Sequence, residues 1–174
     1  MDNIFNRGVL VQLKTSVWGG RVKLPSSVIE GADPDFITAS KYLVNRDCLK
    51  PIEQTRNTAR SYLYEKSLPF PIDGVLFIPK DMIEPVDNRL KELQATFGEQ
   101  ITEFAGMYST FQGQAKEKLK ELYNPADYPQ DIAKKFGFEL RFFIMDTPNS
   151  TSLISPELYA REKEKFQQTM VEFQ

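Results

Sequence analysis

Lys41, Arg46, Lys50, Arg56 and Arg60 make the N-terminal part of this chain basic, and Tyr42 and Tyr64 lie among them. Cationic side chains neutralise phosphates, and an aromatic ring can stack on an unpaired base. The combination could therefore track a nucleic-acid backbone. On a helical reading Arg56 and Arg60 stand one turn apart and share a face. The same residues also make an ordinary solvated helix face, the simpler reading in a protein whose formal net charge is -2. The asymmetry lies in the halves. Residues 1–66 hold 10 Lys/Arg against 7 Asp/Glu, whereas residues 67–174 hold 12 against 17.

Other chemistries have less to work with. The 174 residues contain no histidine, and Cys48 is the only cysteine. Histidine is the usual general base near neutral pH and the commonest metal ligand. One thiol makes neither an internal disulfide nor a zinc cluster. Asp33, Asp35, Asp81, Glu84 and Asp146 are the carboxylates nearest loops or element ends, but their spacing prescribes no metal site or acid–base pair. Asp81 and Glu84 have the D-x-x-E spacing of a capping box. Cys48, beside an expected helix start, could have a lowered pKa; without a histidine partner, packing is its simpler role. Trp18-Gly19-Gly20-Arg21 follows a strand but opens no helix, so it reads as a turn and not as a phosphate cradle. No cofactor and no catalytic role is expected.

These residues need elements to position them. Val9, Val11, Leu13, Thr15 and Val17 alternate with polar neighbours, which predicts a half-buried strand. Gly19-Gly20 then predicts a two-residue hairpin turn that brings Val17 opposite Val22, Thr15 opposite Leu24 and Trp18 opposite Arg21. A helix is expected from Asp47 as cap to about Lys66, with Pro51 in its first turn and Ile52, Thr55, Ala59, Tyr62 and Leu63 inside. The apolar run Gly74–Ile78 predicts a buried strand and Phe138–Met145 another. A short helix is expected to open near Pro129-Gln130-Asp131 and to end at Phe136-Gly137.

The dominant expected element is a helix over about 84–123, stopped by Asn124-Pro125. Its bulky stripe includes Val86, Leu90, Leu93, Phe97, Phe104, Tyr108, Phe111, Ala115 and Leu119. Beside it runs a stripe of small residues, Ala95, Gly98, Thr102, Gly106, Ser109 and Gly113, of which the last five are the expected helix-contact residues. A glycine inside a helix costs about 1 kcal/mol relative to alanine. Three of them predict either close contact with another helix, within or between chains, or a break near Gly106 or Gly113. Ser155-Pro156-Glu157 predicts a last helix, whose apolar residues Leu158, Phe166, Met170 and Phe173 form a further expected partner-binding face still running at Gln174. That unfinished stripe suggests the N-terminal part of a longer protein, or a helix completed by a partner.

Several segments in this order resemble a known family. They are Leu13-Lys14-Thr15-Ser16-Val17-Trp18-Gly19-Gly20-Arg21-Val22-Lys23-Leu24, Leu49-Lys50-Pro51-Ile52, the strand from Gly74 to Pro79 leading into the long helix, and Phe136-Gly137-Phe138. Over about residues 9–146 they resemble a bacterial and phage family classed as a domain of unknown function. Its members often lie near a MoxR/CobS-like AAA+ ATPase and a von Willebrand factor A-type protein, frequently in mobile elements. The resemblance implies membership of a multi-protein complex and prescribes no catalytic residue. The expectation is a single α+β domain: a small, mainly antiparallel sheet carrying a long helical hairpin or bundle. The expected role is a cytoplasmic, non-catalytic adaptor or structural subunit that docks through its helices or self-associates, associated with an AAA+ ATPase. The alternative is a nucleic-acid-binding subunit of a phage, defence or mobile-element complex. No sequence segment is apolar enough to span a membrane.

Overall fold

The computed structural model describes residues 7–25, 31, 33, 35–144, 157, 158, 160, 161, 164 and 165. The architecture is α+β. A four-stranded antiparallel sheet has the order β4-β5-β1-β6. At its centre is β1 (Gly8–Ser16), with β5 (Val75–Pro79) on one edge and β6 (Gly137–Phe143) on the other; β4 (Leu68–Pro69) extends β5. The register sets Val11 opposite Leu76 and Phe142, and Leu13 opposite Leu140. The alternation of β1 is thereby aligned with that of its neighbours, and one face becomes continuously apolar. Gly8 is required by proximity: a Cβ there would lie 2.1 Å from the Ile78 carbonyl oxygen.

Two helices cover that face. Helix α1 (Lys50–Lys66) buries Ile52, Thr55, Ala59 and Leu63, the expected stripe except for the half-buried Tyr62. Helix α2 (Ile83–Leu119) runs for 37 residues, about 55 Å at 1.5 Å per residue, without interruption at Gly106 or Gly113. Its N-terminal half places Val86, Leu90 and Leu93 in a cluster with Val11, Ile78, Ala59 and Leu63. From Phe97 onward the helix places Phe97, Phe104, Tyr108 and Ala115 in a second cluster with Leu43, Leu49, Ile52, Tyr128, Ile132 and Phe136. Phe138 packs against both. Val86 and Leu90 are fully buried, a change worth about 1.5–3 kcal/mol per side chain.

The ends of α2 differ from the expected boundaries. Helix α2 starts after a 3-10 turn at Lys80–Met82, and its N-cap is Met82, with no capping hydrogen bond from Asp81 or Glu84. It ends at Leu119 because Lys120 adopts a φ of 49°, which no helix interior accommodates; a 3-10 turn, Lys120–Leu122, follows. The short segment before β6 is 3-10 and covers Ile132–Lys135.

The expected N-terminal hairpin does not form. Strand β2 (Arg21–Lys23) pairs instead with β3 (Ser40–Tyr42), as a separate two-stranded ladder. A primed hairpin turn with Gly-Gly at its centre needs a positive φ at Gly19, yet only Gly20 of the pair adopts one, at 55°. The Gly20 carbonyl accepts a hydrogen bond from Leu43 N at 2.8 Å, which sends the chain toward β3. Trp18 does not meet Arg21. Its ring lies edge-on to Phe104 at 6.2 Å and to Tyr108 at 5.9 Å, so it anchors the exit of β1 to α2. Trp18→Ala is expected to lower stability by about 1–3 kcal/mol, because the ring is half-buried. Chemical denaturation with an unchanged midpoint would rule out this anchoring role.

Candidate functional site

Alternation along the small ladder sorts its side chains. Arg21 pairs with Tyr42 and Lys23 with Ser40 on the outward side, whereas Val22 and Lys41 point the other way. Arg21 Nε donates to Ser40 Oγ at 2.5 Å, which steadies the arginine along the strand. Just beyond β3 a 3-10 turn, Arg46–Cys48, carries Arg46 back over the ladder; Asn45 Oδ1 caps it by accepting from Asp47 N at 3.1 Å. The two guanidinium carbons then lie 5.9 Å (Arg21) and 5.4 Å (Arg46) from the centre of the Tyr42 ring, within cation–π range.

These residues open onto a pocket of about 220 Å³ lined by Gly19, Arg21, Tyr42, Arg46, Leu49, Lys50 and Glu53. Two details keep it open. Gly20 packs closely, since a Cβ there would meet Leu49 Cδ1 at 3.3 Å, so the turn sits tightly on the start of α1. Gly19 has nothing within 4 Å of where a Cβ would stand, so its missing side chain leaves space. Tyr42 is 42% exposed. Neither Arg21 nor Arg46 makes an ion pair among the described residues, whereas Lys50 is bridged to Asp47 at 2.5 Å. That lysine, by hydrogen bond and charge, holds the Asp47 carboxyl below its ordinary range. The pocket also adjoins the N-terminal end of α1, where the helix dipole favours negative charge.

The five basic residues singled out in the sequence are thus only partly brought together. Arg46 and Lys50 line the pocket; Arg56 and Arg60 lie farther along α1, Arg56 with its Nε bonded to Asn57 Oδ1 at 3.1 Å. Lys41 is not available to a ligand. It is 8% exposed, its Nζ lies 2.6 Å from Asp127 Oδ2, and it donates to the Leu122 carbonyl at 2.5 Å. One lysine therefore ties β3 to the segment after α2. Arg21 and Gly19 take its place in the pocket. Both belong to Trp18-Gly19-Gly20-Arg21, which the sequence offers as a ligand loop and which reads more simply as a turn; the β2–β3 pairing gives Arg21 its place against Tyr42. Lys41→Met is expected to cost about 3 kcal/mol, the low end for one partner of a buried pair because Asp127 keeps some water contact. Adding Asp127→Asn should recover part of that loss in thermal unfolding.

Close to that ion pair, Tyr108, Tyr123 and Tyr128 line a shallow groove of about 460 Å³. Tyr123 and Tyr128 have ring centres 5.4 Å apart, and the Tyr128 hydroxyl donates to the Leu43 carbonyl at 2.9 Å. Burial pushes the Tyr128 phenol up from 10.0 to about 12, with the neighbouring Tyr123 adding to the shift. The folded state therefore holds its proton more tightly than the unfolded chain. This contribution is complete below pH 10 and is lost as pH rises toward 12. Tyr128→Phe should flatten this alkaline fall in melting temperature between pH 9.5 and roughly pH 11.5. An equally steep fall in the variant would assign it to another group.

The small-residue stripe of α2 faces solvent. Gly98, Thr102, Gly106, Ser109 and Gly113 are exposed, and a Cβ at any of the three glycines would meet nothing within 4 Å. The expected close contact with another helix therefore does not occur among the described residues: the core is filled by the bulky stripe, which turns the small one outward. Thr102 Oγ1 donates to Gly98 O at 3.0 Å, satisfying itself within the helix. Of the expected terminal face, Leu158 is half-buried in a helical turn; Phe166, Met170 and Phe173 lie outside the described residues.

Cys48 does not have the activated thiol considered for it. Burial first, and then the Asp47 charge, push it above its ordinary value. Among the described residues no group of three or more His, Cys, Asp or Glu is placed to hold a metal ion, and no helix is long and apolar enough to cross a membrane. Asp33 Oδ1 accepts from Asp35 N at 3.0 Å, a local turn contact; Asp146 lies outside the described residues.

A family model described as "Protein of unknown function (DUF3150)" matches residues 5–172. No curated protein and no solved structure matches the chain significantly.

Proposed function

The chain belongs to the DUF3150 family, and on that footing we propose that it is a non-catalytic adaptor or structural subunit that docks a protein partner along α2. One observation carries this reading. Three glycines stand inside a 37-residue helix at a cost of about 1 kcal/mol each relative to alanine, and no neighbouring element among the described residues gains from them. Small residues let a second backbone approach closely, so an intermolecular helix accounts for what the fold does not use. An AAA+ ATPase assembly in a bacterial or phage mobile element is the partner that the family resemblance implies. A cytoplasmic location belongs to the same proposal.

Gly106→Leu tests it. The new side chain enters open space and replaces glycine in a helix, so thermal stability should hold or rise by up to about 1 kcal/mol. Capture of the partner ATPase, or the protein's own association state in light scattering, should be lost. Stability retained together with unchanged assembly would count against the α2 face.

A second reading, a nucleic-acid-binding subunit of a phage, defence or mobile-element complex, is favoured by a different observation: Arg21 and Arg46 flank an exposed tyrosine and make no ion pair among the described residues, Arg46 feeling the nearby Asp47 charge only at longer range.

A further inference from the structure

Resting on that second reading, we infer that the pocket between the β2–β3 ladder and the start of α1 grips single-stranded nucleic acid, with Arg21 and Arg46 on phosphates and Tyr42 supporting an unpaired base. The charge selects an anion. Two guanidiniums border one pocket beside the same tyrosine ring, without ion pairs among the described residues, at the positive end of a 17-residue helix. The aromatic ring selects a ligand that offers more than phosphate. A half-exposed tyrosine beside planar guanidiniums is a stacking platform for bases. The dimensions select a single strand. A pocket of about 220 Å³ admits one splayed base with its phosphate, and the elements lining it are a three-residue ladder and a helix end, not a helix presented lengthwise to a major groove. Glu53 in the wall disfavours a second phosphate at that side. Stacking reads no base edge, so binding should tolerate sequence.

Arg56 and Arg60 follow Lys50 along α1 at about 9 and 15 Å from it, at 1.5 Å rise per residue. A strand leaving the pocket could be steadied there by charge alone, whereas the pocket supplies the preference for unpaired bases.

The experiment measures binding of labelled 12-nucleotide single strands and of the matching duplex to the full chain by fluorescence anisotropy, across a salt series. The single strand should bind more tightly than the duplex. Gly19→Leu fills the pocket from a position where a Cβ touches nothing and φ is not positive, so the protein should stay folded while single-strand affinity falls. Tyr42→Ser should lose one stacked base, roughly five- to hundredfold in affinity. Arg46→Gln should lower affinity and make the logarithmic salt dependence shallower by about 0.7, one single-strand phosphate contact. Arg46→Lys should keep that slope and still bind more weakly, because the planar group is gone. Ultraviolet crosslinking should map to the peptide containing Tyr42. Circular dichroism checks each variant's fold; if Gly19→Leu unfolds, the exposed Arg46 variants read the same pocket.

No binding to either nucleic acid overturns the inference together with the reading beneath it. Binding that is lost in Arg56→Glu with Arg60→Glu, but intact in the Gly19, Tyr42 and Arg46 variants, leaves a nucleic-acid-binding protein and overturns the pocket. Equal binding of single strand and duplex also overturns it, as does full displacement of the oligonucleotide by an equimolar phosphopeptide.

Discussion

The fold depends on a single helix having to complete two cores at once. Along about 55 Å, α2 keeps one bulky stripe pointed inward, first against the sheet and α1, then against the β2–β3 ladder and the aromatic segment before β6. Neither cluster closes without it. Phe97 and Phe138, with ring centres 5.5 Å apart, stand at the join, so the two clusters are mechanically continuous. Every other element is placed by what α2 offers at its level.

This constraint explains the route of the N-terminal segment. Strand β1 uses both edges, with β5 on Gly8–Gln12 and β6 on Leu10–Ser16, so β6 occupies the edge along its last residues. After Ser16 the chain leaves the sheet, and Trp18 carries it onto the C-terminal half of α2. Once there, the ladder needs a tie on its inward side. Lys41 supplies it by burying its stem and meeting Asp127 and the Leu122 carbonyl, both in the segment that the helix end releases. Tyr128 adds a second tie to the same ladder through Leu43.

The ladder's outward side and the free face of α2 are the two surfaces on which the proposals rest. They have opposite character. The α2 face is small, uncharged along its glycines and suited to close approach by another backbone; the pocket is cationic and aromatic. They involve different residues, so a protein partner on α2 and an anionic strand at the ladder do not compete for the same side chains. A complex subunit that holds both is consistent with the single family resemblance and with both proposals.

Local pattern was sufficient for much of this. The alternation of β1, the apolar run of β5, the stripe of α1 and the sustained 3–4 spacing of α2 are short-range signals, and each element formed where its period predicted, within a few residues. The strand Gly137–Phe143 was equally legible. The α+β class followed, because a sheet with one apolar face and a helix with one apolar stripe cover each other. Pairing was a different matter. Gly19-Gly20 permits a hairpin, but whether it forms depends on distant partners: Trp18 packs on Phe104 and Tyr108 of α2, and β2 pairs with β3. Lys41 looked like its basic neighbours because charge is visible in a sequence and burial is not. Its role was decided by a ladder register and by Asp127, 86 residues away. The outward turn of the small-residue stripe has the same origin: spacing puts the glycines on one face, and only packing of the bulky face against two cores determines which way that face looks.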